Sequence, residues 1–209
     1  MLNNLLPAKI ILASNNAGKL REFKSLFSTI AINIVPQSEF NVEDAVEDGL
    51  SFVENAIIKA RHAAKITKHA AIADDSGIEI DALSGQPGIY SARFSGEHGN
   101  DKAHNQLVLK KMAGIAHQQR TARFQCVLAF MRHENDPTPL ICQASWEGFI
   151  LEAERGDDGF GYDPLFYVPE HDCTAAQLPA DLKNKMSHRA QALQILLMAL
   201  KANYPTYLD

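Results

Sequence analysis

Long apolar runs are missing from this sequence; none approaches the roughly 20 residues that a membrane-spanning helix needs. Met1–Ala13 also lacks a basic segment followed by a long apolar one, so no targeting signal is read there and a cytoplasmic protein is expected. Cysteine is scarce. Cys126, Cys142 and Cys173 are odd in number and show no C-x-x-C spacing, so buried free thiols in a reducing compartment are expected. A basic excess is missing too: 20 Lys and Arg stand against 25 Asp and Glu, a formal net charge of −5. Binders of nucleic acid polymers usually carry a basic stripe, so this balance argues against that class. It leaves room for one small anionic ligand, which needs only a few placed cations. No low-complexity tract and no repeat at a solenoid period is present.

What is present is an ordinary globular balance. The 209 residues are 46% hydrophobic and 22% charged, enough to build one core-bearing domain over 1–209, compact or two-lobed. Lys9–Ala13 is a short apolar run of buried-strand type, and Ile32–Val35, ended by Pro36, predicts a second. Leu20, Phe23, Leu26 and Phe27 recur at helical spacing from a start near Gly18. Ser51 and Glu54 form a capping box before the helix FVENAIIKARHAAKI. Ala70–Ala73 is another apolar run, ending in Asp74-Asp75-Ser76-Gly77, after which Ile78–Leu83 reads as a strand or hairpin arm. Lys102–Met112 predicts a helix. Ala122–Met131 and Leu140–Trp146 predict a hairpin across Asn135-Asp136-Pro137, with Phe149–Ala153 as a further strand. Ser187 precedes a final helix whose inner face is Ala190, Leu193, Leu196, Leu197 and Leu200. The class is α/β, and the hairpins exclude a purely parallel sheet.

Four polar segments carry chemistry. Ser14–Lys19 (SNNAGK) lies between a strand and a helix N-terminus, where backbone N–H groups and the helix dipole favour an anion and Lys19 can reach it. It is not a Walker A loop, because the first glycine is absent and Leu20 follows the lysine. An ordinary βα turn with a solvated lysine has the same spacing. Asp74 and Asp75 suit Mg²⁺, a hard cation that takes oxygen ligands, with Glu47 as an auxiliary carboxylate; an Asp-Ser-Gly turn is the alternative. The glycine-rich stretch Gly156–Pro164 presents Phe160 and Tyr162, which serve as stacking platforms for a base unless the stretch is a plain turn with Phe160 tucked under it. Lys183, Lys185, His188 and Arg189 cluster at the start of the last helix, where cations oppose the dipole, so an anionic or acceptor-rich ligand would explain them.

Taken in order, SNNAGKLREF, EDGLSFVENAIIKA, IADDSGIEIDALSGQPGIYSARFSGE, TARFQCVLAF, GFGYDPLF and KNKMSHRAQAL resemble the noncanonical purine nucleoside triphosphate pyrophosphatases of bacterial type, also called inosine/xanthosine triphosphatases. The resemblance runs from about Lys9 to Leu200. It implies a long mixed β-sheet flanked by helices, two lobes with a substrate cleft between them, a Mg²⁺ cofactor and a homodimer. It implies hydrolysis of ITP, dITP and XTP to the monophosphate plus pyrophosphate, which cleanses the nucleotide pool of deaminated purines. Residue by residue, it assigns Ser14, Asn15, Asn16, Ala17, Gly18 and Lys19 to the triphosphate, Asp75 to catalysis and metal binding, and Ser76 to a substrate contact. Phe160, Gly161, Tyr162 and Asp163 fall to the base, as do His188 and Arg189, and Lys183 is assigned to substrate binding. Two departures stand out: Ser14 replaces a usual threonine, and Glu47-Asp48-Gly49 replaces Glu-Thr-Gly, which bears on Glu47 as the second metal carboxylate. A pyrophosphatase for pyrimidine or other modified nucleotides, or a nucleotide sensor without turnover, would share part of this pattern. Carboxylates near phosphates favour the enzyme, because they repel phosphates unless a metal intervenes.

Overall fold

The computed structural model describes residues 9–28 and 32–204. The reading of Met1–Ala13 therefore falls largely outside the described residues, as does that of the Leu26 side chain. Among the described residues, seven strands form one mixed sheet in the order β2-β1-β3-β4-β5-β6-β7. They are β1 (Lys9–Leu12), β2 (Asn33–Pro36), β3 (Ala70–Ile80), β4 (Thr121–Met131), β5 (Leu140–Ile150), β6 (Phe166–Val168) and β7 (Cys173–Thr174). β1 runs parallel to β2 and β3, whereas β6 is antiparallel to β5 and β7. Five α-helices among the described residues accompany them: α1 (Ala17–Phe27), α2 (Phe52–Thr67), α3 (Asp101–Lys111), α4 (Ala180–Met186) and α5 (His188–Asn203). Among the described residues, no helix is long and apolar enough to cross a membrane.

The described residues divide into two compact units. One holds the chain up to Asp75, Cys126–Ala144 and the chain from Arg189 onward; the other holds Ser76–Gln125 and Ser145–His188. In the first, alternate strand residues point to opposite faces. Ile10, Leu12, Ala70, Ile72, Leu128 and Phe130 pack with Phe23 and Phe27 of α1 and with Ala192, Leu193, Leu196 and Leu200 of α5. Each fully buried Ile, Leu or Phe there contributes about 1.5–3 kcal/mol of transfer free energy. Against the predicted inner face of α5, Ala192 is buried and Leu197 only half-buried. At the start of α2 Ser51 Oγ accepts from the Glu54 N–H as read, while Glu54 accepts from the Leu50 N–H, one residue before the cap, rather than from that of Ser51.

The second unit centres on Ile78, Ile80, Val108, Met112, Phe124, Trp146, Ile150, Tyr162 and Phe166. Arg120 is buried inside it and donates to the carbonyls of Met112, Ile115, Ile150 and Leu151, tying the end of α3 to the end of β5. Gly148 in β5 is fixed by close approach, since a Cβ there would lie 2.5 Å from the Tyr167 carbonyl oxygen in β6.

Two strand boundaries differ from the expectation. Asp74-Asp75-Ser76-Gly77 does not end a strand: β3 runs unbroken from Ala70 to Ile80. The turn chemistry of Asp, Ser and Gly loses here because both carboxylates find cations and Ile78 N–H is held by Ser91 Oγ at 2.9 Å. Likewise Phe149 belongs to β5, which continues through Trp146 to Ile150, so Phe149–Ala153 is not a strand of its own. Exposed Ile141, Gln143, Ser145 and Glu147 alternate with inward residues along its length.

Candidate active site

The last pairing of β1 with β3 is Leu12 with Ile72. β1 stops there while β3 continues, and the Ala13 N–H makes one more bond to the Ile72 carbonyl before the polar loop begins. Asn16 caps α1, its Oδ1 accepting from the N–H groups of Gly18 (2.8 Å) and Lys19 (3.0 Å). Two of the amides expected to meet an anion are thus engaged by a side chain of their own loop. Ser14 Oγ accepts from the Asn16 N–H. Asn15 donates to Asp44, which also takes Gln37, so the loop is anchored to the acidic segment. The helix starts at Ala17, one residue before the start near Gly18 expected from sequence.

Asp74 and Asp75 are neighbours in a strand and face opposite ways. Asp74 continues the row Ala70, Ile72 into the face covered by α1 and α5. It is 1% exposed and meets Lys19 Nζ, Arg189 Nε at 2.8 Å and the Cys126 thiol at 3.4 Å. Burial by itself would raise this carboxyl; Arg189 and Lys19 outweigh it and hold it well below the usual carboxylate range. Arg189 in turn pairs with Glu22 of α1 at 3.0 Å. Burial disfavours its charge, but Asp74 and Glu22 more than compensate and keep the guanidinium protonated. The cation that looked misplaced at the start of α5 is therefore answered by two carboxylates of the chain itself.

Asp75 faces the side of α2. It is 7% exposed and pairs with Lys59 Nζ at 2.5 Å, and the same ammonium lies 3.5 Å from Glu47. Burial pushes the Asp75 carboxyl up; Lys59 opposes this and Glu47, a like charge, adds to it. Lys59 is lowered by burial and raised more by Asp75 and Glu47. One turn earlier on α2, Asn55 Oδ1 accepts from the Gly49 N–H and fixes the loop that carries Glu47. Adjacent aspartates are thus tuned apart, one firmly ionised and one more basic than usual. Such divergence is characteristic of acid–base sites. Glu47 and Asp75 are brought together as expected. Among the described residues, no group of three or more His, Cys, Asp or Glu converges on one point.

Lys59 and Glu22 were not singled out in the sequence. Lys59 could have been, because it shares a helix face with Asn55 and the buried Ala56, Ala60 and Ala63, where a lysine needs a partner. Glu22 gives no such signal on the exposed-looking turn Arg21-Glu22.

Apart from Arg189, the base-side candidates lie in the second unit. Phe160 is 50% exposed, with Lys183 Nζ 5.3 Å from its ring centre. Lys183 also pairs with Asp163 at 2.5 Å, and Asp163 Oδ2 accepts from the Phe160 N–H at 2.8 Å. Gly159 (φ +83°) must lack a side chain, since a Cβ there would collide with that same carboxylate. Tyr162 differs from the expectation: its ring is 4% exposed within the core and its hydroxyl donates to the Ser91 carbonyl, so it supports the loop and Phe160 alone presents a face. His188 is buried and stacks on Phe124, ring centres 4.8 Å apart. Lys183 and Lys185 belong to the last turn of the separate helix α4, where cations suit the dipole. Ser76 is half-buried within β3, directly after Asp75.

Comparison with known proteins places this chain among named relatives. A family model described as the Ham1 family matches residues 10–199. A Photobacterium profundum protein named dITP/XTP pyrophosphatase is 56% identical over 194 residues, covering 93% of this chain and 98% of its own. A Vibrio vulnificus protein of the same name is 54% identical over 193 residues, covering 92% and 96%. The solved structure of a HAM1 protein from Coxiella burnetii matches with a TM-score of 0.88 at 50% identity, over 93% of this chain and 98% of that one.

Proposed function

This chain belongs to the Ham1 family, and we propose that it hydrolyses dITP, XTP and ITP to the monophosphate plus pyrophosphate. The observation that carries the reading is the pair of aspartates in β3, with Asp74 pinned by two cations and Asp75 left more basic beside Glu47 and Lys59. In the reaction, water attacks the α-phosphorus and pyrophosphate leaves. Positioning and charge neutralisation do most of the work. Asp75 orients that water and takes its proton, a task suited to a carboxylate whose proton affinity burial has raised. Lys19 gives two N–H donors to Asp74 and keeps a third for an oxygen of the leaving pyrophosphate. Ser14–Lys19 and the start of α1 hold the triphosphate.

Pyrophosphatases of this family generally depend on a divalent metal, and Mg²⁺ is the ion proposed. The donor set fits it. Two carboxylates, Asp75 and Glu47, already share one ammonium, and Mg²⁺ needs only one or two protein carboxylates because it retains waters and takes phosphate oxygens. When bound, such an ion supplies charge neutralisation at the phosphates and a more acidic water.

The base stacks on Phe160. Lys183, His188 and Arg189 supply donors that suit the O6 and N7 acceptors of a 6-keto purine and reject the 6-amino group of adenine, with Asp163 accepting from N1–H. A mismatch of this kind discriminates by up to about 10⁴–10⁵. The setting proposed is a cytoplasmic homodimer, one catalytic domain per chain over 1–209. Pyrophosphate release from a panel of nucleoside triphosphates with Mg²⁺ tests the reading. A strong preference for ITP, dITP and XTP over ATP is expected, with GTP poor or intermediate; comparable kcat/KM for ITP and ATP would refute it.

A further inference from the structure

α3 makes contacts that its own stability does not require. Asn100 already caps it, accepting from the Ala103 N–H. Asp101, the first helical residue, turns its carboxylate to the Gly161 N–H at 2.6 Å. Asn105, one turn later on the same face, donates its side-chain Nδ2 to the Gly161 carbonyl at 3.1 Å. Both peptide groups of Gly161, which sits at φ +62°, are therefore held by one helix face.

The consequence falls on Phe160. The peptide before it is pinned by Asp163, which accepts from the Phe160 N–H, and the peptide after it is pinned by Asp101. With both flanking planes fixed, the φ and ψ of Phe160 are set, although its ring is half-exposed and few side-chain contacts could set them. His104, on the same helix, adds a ring contact to Tyr162 at 6.3 Å and is itself held by Ser95 and the Ala92 carbonyl. Asn105 accepts a cost for its part. It is 3% exposed, and its Oδ1 is buried with no hydrogen-bond partner among the described residues. Turning the amide over would satisfy nothing, because it would set oxygen against the Gly161 oxygen.

We propose that Asp101 and Asn105 are positioning residues for nucleobase binding: they pre-set the plane of the Phe160 ring so that a purine stacks without ordering the loop first. This rests on the proposed role of Phe160 as the base platform. Rigid presentation lowers the entropy that binding must overcome, and the base is remote from the bond that is cut, so the effect belongs to binding rather than to the chemical step.

The test uses the full chain. Asp101→Ala and Asn105→Ala are each expected to raise KM for ITP about tenfold with kcat within about twofold, the pattern of lost uniform binding. Asp101→Asn, whose Oδ1 still accepts from the Gly161 N–H, should restore KM to near the parent value. In a Phe160→Trp background, quenching of the exposed tryptophan by IMP should need about tenfold more IMP when Asp101 or Asn105 is alanine. If an alanine variant fails to fold, Asn105→Asp serves instead, since it keeps the helix and sets oxygen against oxygen at Gly161; it should show the same KM rise. Unchanged KM and unchanged quenching in these variants, in a chain that hydrolyses ITP and depends on Phe160, would overturn the clamp and leave the proposed function standing. A parent protein that neither hydrolyses ITP nor binds IMP would overturn both.

Discussion

Replacing Arg189 by methionine removes a buried guanidinium of similar reach without opening a large cavity. Asp74 then loses one of the two cations it pairs with, at a site where its side chain has no solvent exposure. Breaking a buried pair by deleting one partner costs about 3–5 kcal/mol, because the remaining charge is stranded. That is a large part of the roughly 5–15 kcal/mol by which domains are stable. For a chain of this length each kcal/mol moves Tm by about 2–4 °C, so a fall of roughly 6–20 °C is expected. Urea unfolding should show a lower midpoint with an unchanged slope. The decisive measurement is the double variant. Adding Asp74→Asn to Arg189→Met removes the stranded charge, so the double variant should be more stable than Arg189→Met alone, with a coupling of about 0.5–3 kcal/mol. An Arg189→Met protein within 1 kcal/mol of the parent, or additive single effects, would refute the reasoning. The same variant separates two roles: loss of a base donor falls selectively on ITP against ATP, whereas loss of the Asp74 partner lowers both alike.

Asp75→Asn is expected to lower kcat by orders of magnitude, roughly 10²–10⁴-fold for loss of a proton acceptor, while the melting temperature stays close to or above that of the parent; near-parent turnover in the folded variant would remove Asp75 from the mechanism. Arg120→Met should destabilise strongly, by about 3 kcal/mol or more, because it orphans buried carbonyls at Met112, Ile150 and Leu151; calorimetry checks it, and kcat of the folded fraction should not move. Asp136 accepts from Arg132 and from the Thr138 N–H in the β4–β5 turn; the Arg132 hydrogen bond is the main cause that depresses its carboxyl. A depressed carboxyl contributes stability that is present above the unfolded pKa of about 3.9 and is lost as pH falls through the folded value. Asp136→Asn should therefore lose stability at pH 7 and converge with the parent in strong acid; a constant difference across pH would exclude this linkage.

The order of elements and the α/β class were legible because apolar periodicity, the Ser51–Glu54 box and the Asn135-Asp136-Pro137 turn each act within a few residues. The family could be recognised because its motifs recur in order along the chain. What escaped was long-range pairing. Asp74-Asp75-Ser76-Gly77 has the local chemistry of a turn, and only Lys19, Lys59 and Arg189, distant in sequence, make a strand possible there. The same holds for Arg189, whose carboxylate partners lie 115 and 167 residues away. Tyr162 and Phe160 look alike in a glycine-rich loop; their fates diverge because Ser91 offers a buried acceptor to a hydroxyl and nothing to a phenyl ring.

The division of the chain has a bearing on its synthesis. A ribosome that has reached His188 has delivered every residue of the second unit, while the first still lacks Ala192, Leu193, Leu196 and Leu200, which close one face of its sheet. β1 precedes every other described strand, so Ile10 and Leu12 stay without the cover of α5 until that helix is made. Vectorial folding from the N-terminus, the usual order for multidomain chains, is inverted: the middle of the message encodes the part that can settle first. Shortening the chain before α5 would leave part of the first unit's apolar sheet face uncovered beside α1, an aggregation hazard rather than a smaller enzyme.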